Sequence, residues 1–88
     1  NGDAALLYTE ARIRIRRARA LDDAQGACAL LERVIELDPN HVAARLLLAR
    51  MYNTDFWQQI AGHDVRAFRA RADRLGREAA ALEPDNVD

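Results

Sequence analysis

Residues 29–52 read ALLERVIELDPNHVAARLLLARMY, and the punctuation in the middle decides the fold. Leading into it, Leu31, Val34 and Ile35 continue a stripe begun by Ala24, Ala27 and Cys28, the spacing of one helix face. Gln25, Glu32 and Glu36 fall on the outward side of that helix. Proline disfavours helical geometry in the residue before it, so Pro39 stops the helix at Asp38, and Asn40 is placed to cap the next one. The segment that follows, HVAARLLLARMYN, is apolar almost all round, interrupted only by Arg45 and Arg50. A helix of that kind needs neighbours on every side, which puts it at the centre of the domain.

Working upstream, residues 4–20 carry Ala4, Leu7, Tyr8, Ala11, Ile15 and Ala18 on one helical stripe behind an Asp3 cap. Leu6, Ile13 and Ala20 repeat every seven residues on the opposite side. The helix therefore has two apolar faces, as expected in a layered array. Five arginines lie between Arg12 and Arg19, with Arg12, Arg16 and Arg19 on one flank and Glu10, Arg14 and Arg17 on the other. Glu10 and Arg14 stand in the favourable i,i+4 order, and the cations cluster where the helix dipole favours them. RIRIR alternates like a strand, but for only five residues in an alanine-rich helical frame. The next helix covers residues 24–37, with Asp22 or Asp23 as its cap.

Downstream, residues 64–82 place Val65, Phe68, Ala72, Leu75, Ala79 and Leu82 at spacings of 3, 4, 3, 4 and 3, a regular single stripe. Gly76 weakens this helix by about 1 kcal/mol relative to alanine and marks a candidate close helix crossing. The intervening TDFWQQIAGH is the least regular piece, and its Phe56 and Trp57 read as a plug for the end of a helical core rather than as a ligand platform.

Composition limits the function classes. The 88 residues suit one domain, and eighteen alanines against six glycines and prolines favour helices over sheet. Thirteen basic residues, all arginine, oppose fourteen acidic ones for a net charge of -1. That is not the broad positive field of a nucleic-acid binder, and the Arg12–Arg19 run lacks lysine and interleaved aromatics, so nucleic acid is disfavoured as a partner. The single Cys28 cannot form an internal disulfide and reads as a small core residue. No run approaches eighteen apolar residues, and the first residues lack a basic start and a hydrophobic stretch, so no segment here is expected to span a membrane or act as a signal peptide. A cytoplasmic location is expected, with the periplasm left open. His41 and His63 lie a helix apart, join no cysteine or carboxylate at zinc-like spacing, and read as surface residues. With no phosphate loop or nucleophile motif either, no catalysis, cofactor or metal is expected.

The punctuation LDPNHV at residues 37–42 returns as LEPDNV at residues 82–87, 45 residues later. Two helical units that close alike predict a repeat array in which each unit buries a face on its neighbour. At these positions the chain resembles the tetratricopeptide repeat (TPR) family. Ala27 and Leu31 match the small and large residues of a second helix, Pro39 the closing proline, and Leu48, Ala49 and Tyr52 the following first helix. Tyr8, Ala11 and Ile15 extend the likeness upstream, and Ala72, Ala79 and Pro84 downstream. Against a repeat of about 34 residues, the second unit is longer by eleven, between Tyr52 and Ala72, and the first carries about three extra around RARALDD. Arg12 and Arg45 stand where the family prefers glycine and tryptophan, and Gly76 replaces a bulky residue.

The resemblance implies an all-α fold of two TPR-like antiparallel helix pairs, units about 4–39 and 40–84, in a short right-handed helical-repeat array. The long second unit is similar to degenerate repeats of bacterial multi-domain regulators of winged-helix or nucleotide-cyclase type, so the chain is expected to be a piece of a longer protein. In the family, first helices line a concave groove that holds a peptide or protein. Carried over, that groove is Leu6, Thr9, Ile13 and Arg16 with Ala43, Leu46, Arg50 and Asn53. Its arginines favour an acidic partner. Because about three repeats are usually needed for stability, a two-repeat array also predicts self-association, as a homodimer, through its uncovered end.

Overall fold

Four α-helices make up the described part of this chain: α1 (Gly2–Arg17), α2 (Leu21–Leu37), α3 (Val42–Tyr52) and α4 (Val65–Leu82). The computed structural model describes residues 2–19, 21–53 and 65–82, with backbone only at 21 and 65. The Phe56–Trp57 plug, His63 and the second closing motif lie outside the described residues. RIRIR is helical within α1. Glu10 and Arg14 pair at 3.3 Å, and Arg14, Arg16 and Arg17 fill the last turn, where cations oppose the dipole.

The helix ends depart from expectation by a residue or two. α1 begins at Gly2, so Asp3 sits in the first turn instead of capping it. α2 begins at Leu21, earlier than the cap reading of Asp22 and Asp23 allowed. The Asp23 carboxylate instead accepts a hydrogen bond from the Arg19 amide at 3.0 Å, reaching back across the break. At the DPN punctuation, Asp38 accepts from the Asn40 amide at 3.3 Å. This turn hands the capping role to His41, whose Nδ1 accepts from the Ala44 amide at 3.1 Å. Asn40 is thus not the cap, and half-buried His41 is not a plain surface residue.

α1 packs mainly on α2 and α3 mainly on α4, with a smaller α2–α3 seam joining the two pairs. Each pair is antiparallel. Arg45, early in α3, pairs with Glu78, late in α4. Tyr52, ending α3, lies ring to ring with Phe68, early in α4, at 5.5 Å. In the first pair, Leu6 and Leu7 border a depression shared with Arg33 and Leu37, while the Arg14 guanidinium reaches Gly26.

The core is built from small residues locked by a few large ones. Ala4, Ala11, Ala24, Ala27, Ala44, Ala72 and Ala79 are buried, and Leu31, Val34, Leu48 and Leu75 are the largest fully buried side chains among the described residues. Outside α3, these are the positions that helical periodicity selected. Two others differ. α3 is not surrounded: Ala43 is exposed and Leu46 is 52% exposed, because α1 stands off from this side and leaves a groove. Leu82 is 38% exposed because α4, at 18 residues, overhangs the 11-residue α3 at that end.

Gly76 marks no close crossing, since a Cβ built there meets nothing within 4 Å. Gly76→Ala is therefore expected to raise stability by about 0.5–1 kcal/mol, by restricting the unfolded chain and improving helix propensity. The shift is read from urea unfolding followed by circular dichroism; a loss of stability would mean that the site is more crowded than described.

Candidate protein-binding groove

The open side of α3 faces α1 across a groove of about 510 Å³. Tyr8, Arg12, Ile15 and Arg16 line it from α1, and Ala43, Leu46, Leu47 and Arg50 from α3. Its geometry follows from the DPN turn. By capping α3, His41 is fixed at the mouth of the helix, and its ring meets that of Tyr8 at 4.8 Å. That contact turns the Tyr8 flank of α1 toward α3, and with it the residues one and two turns further on, Arg12 and Ile15 to Arg16.

Of the eight residues carried over from the TPR resemblance, Arg16, Ala43, Leu46 and Arg50 border this groove. The other four do not. Leu6 and Ile13 border separate depressions between α1 and α2. Thr9 is exposed, and its hydroxyl donates to the Ala5 carbonyl at 3.0 Å. Asn53 is the exposed C-cap of α3, its amide bonded to the Ala49 carbonyl at 3.1 Å. Tyr8, Arg12, Ile15 and Leu47 take their place. The sequence held one signal for them: residues 8, 12 and 15 follow the i, i+4, i+7 spacing along the edge of the core stripe.

The chemistry of the groove is cationic over an apolar floor. Arg12 lies over the Tyr8 ring, its Cζ 5.8 Å from the centroid, a cation–π arrangement that holds its guanidinium in place. Arg16 and Arg50 are exposed and make no ion pair among the described residues. Among the described residues, no carboxylate lines the groove. Ile15, Leu46 and Leu47 offer apolar surface between these cations.

Other arginines serve the scaffold. Arg45 pairs with Glu78 and also donates from Nε and Nη2 to the Pro39 carbonyl, at 3.1 and 2.8 Å. Arg71 forks onto Glu32, with Nη2 at 2.7 Å and Nε at 3.4 Å. The Tyr52 hydroxyl donates to the same carboxylate at 3.0 Å. Glu32 is therefore not the outward-facing residue that its wheel position suggested. It ties α2, α3 and α4 together, and so sets how the two pairs meet. Burial, then the Glu32 hydrogen bond, raises the Tyr52 phenol well above the usual range. The hydrogen bond to Glu32 likewise raises Arg71.

Cys28 is buried in the core, and burial, then the Glu32 charge, pushes its thiol up to about 12, so it stays protonated at neutral pH. Among the described residues, no group of three or more His, Cys, Asp and Glu side chains is arranged to hold a metal ion. None of the described helices is long and apolar enough to cross a membrane. Comparisons with protein-family models, curated proteins and solved structures found no match, so the tetratricopeptide likeness rests on the residues themselves.

Proposed function

We propose that this chain is a non-catalytic protein–protein interaction module whose α1–α3 groove binds an acidic, partly apolar peptide segment. The observation that carries the reading is the set of arginines around the groove, Arg12, Arg16 and Arg50, over Ile15 and Leu46, with no carboxylate lining it among the described residues. An extended or helical segment with acidic residues flanking one or two aliphatic ones matches that pattern. Its aliphatic side chains desolvate the floor while Arg16 and Arg50 take carboxylates in planar forks. In a bacterial regulatory or assembly protein, such a module would recruit a partner without altering it chemically.

The test uses a fluorescein-labelled decapeptide of alternating glutamate and leucine, followed by fluorescence anisotropy. Binding is expected to weaken about tenfold or more for each of Arg16→Glu and Arg50→Glu, as losing one charge-assisted contact of about 1.5–3 kcal/mol requires. A lysine-leucine peptide and a generic DNA duplex are expected to leave the anisotropy unchanged. Equal binding of the acidic peptide by wild type and both variants would sink the reading.

A further inference from the structure

We propose that the outer face of α1 pairs with the same face of a second copy of this chain, antiparallel, about a two-fold axis passing between Thr9 and Glu10. This face lies opposite the core stripe and away from the groove. Its large apolar residues are Leu6, 72% exposed, and Ile13, 41% exposed, set about two helical turns apart. Each also borders a depression shared with α2, Leu6 beside Arg33 and Leu37 and Ile13 beside Asp23. A two-fold axis midway between the two residues sets Leu6 against the second copy's Ile13, and Ile13 against its Leu6.

Charge selects the antiparallel arrangement. Asp3 and Glu10 lie on one flank of this face, and so do Arg14 and Arg17, the acids toward the N-terminus and the cations toward the C-terminus. The two-fold axis keeps that flank on the same side in both copies while reversing its direction, so Asp3 meets the second copy's Arg17, twice per dimer. Arg17 is exposed and makes no ion pair among the described residues. Near the axis, Glu10 is neutralised by its own Arg14 at 3.3 Å. Thr9 meets the seam with its hydroxyl already bonded to Ala5, so covering it strands no donor. A parallel pairing would instead set arginine on arginine along the whole last turn. The contact is isologous and closes as a dimer rather than growing into a filament. One helix per copy is less than a standard interface, so the dimer is a weak one that dissociates on dilution.

Sedimentation equilibrium of the 88-residue chain, from about 10 μM to about 1 mM, tests this. The expected result is a monomer that converts to dimer as concentration rises. Asp3→Arg and Arg17→Asp should each weaken dimerisation at least tenfold, because each sets like charges against each other at both contacts. An equimolar mixture of the two variants should recover it as a heterodimer, since the exchanged charges then complement. Leu6→Ser should weaken the dimer without touching a charge, and circular dichroism confirms that each variant keeps its helicity. A monomer throughout the range, or a dimer indifferent to these substitutions, overturns the proposal. The groove reading is scored separately by peptide binding at concentrations where the chain is monomeric.

Discussion

Leu31→Ala is expected to lower the unfolding free energy by about 2–5 kcal/mol, and with it the Tm by roughly 10–30 °C. Leu31 is fully buried in α2 and is among the largest such side chains. The buried cluster it belongs to joins Ala4, Ala11 and Ala44 with Cys28, Val34, Leu48 and Leu75. Its alanines have little freedom to close a void, because each is a short side chain on a helix backbone held by hydrogen bonds. The cavity term should therefore stay near the upper part of its range. For a domain whose whole stability is about 5–15 kcal/mol, that loss approaches unfolding at physiological temperature. Leu6→Ala supplies the contrast, since a residue 72% exposed should change monomer stability by no more than about 0.5 kcal/mol. Urea unfolding of dilute protein distinguishes the two. A loss below about 1 kcal/mol at Leu31 would mean that α2 is not anchored there.

The contrast between these leucines also marks what the sequence could and could not disclose. α3, apolar almost all round, offers no stripe that singles out Leu48, but Leu31 and Leu75 lie on stripes of helical period, and any helix that packs at all buries such a stripe, so both were legible from spacing alone. The docking of one helix pair on the other was not. The flank of α1 that meets α3 is chosen by Tyr8 against His41, a contact across 33 positions whose geometry depends on which residue caps α3. Asn40 and His41 are adjacent and both can accept an amide, and the Asp38 turn decides between them. Arg16, Ala43, Leu46 and Arg50 border the groove so formed, while Leu6 and Ile13 border depressions between α1 and α2. Glu32 was misread for a related reason. Its wheel position is polar and marginal, and only the approach of Arg71, from 39 residues away, turns it into a tie between helices.

Alkaline unfolding should be steep, and Cys28→Ala should flatten it. The chain has no lysine, so between pH 9 and pH 12 the side chains that ordinarily titrate are one cysteine and two tyrosines. Burial raises Cys28 from 9.0 to about 12, and Tyr52 moves upward from 10.0 by burial and its hydrogen bond to Glu32. A raised pKa means that the folded state keeps a proton the unfolded state has already released. The stabilisation from Cys28 is therefore complete below pH 9 and is lost as pH climbs toward about 12; that from Tyr52 starts to fall near pH 10. Each group steepens the decline by up to about 1.4 kcal/mol per pH unit, so the two together outweigh any surface ion pair. Equilibrium unfolding at a series of pH values should show a plateau below pH 9 and a slope above it. In Cys28→Ala the slope should begin about one unit later and be roughly halved, whatever the substitution does to the plateau itself. An unchanged slope would show that the thiol ionises as readily in the folded chain as in the unfolded one, and that the α2 core admits water at its centre.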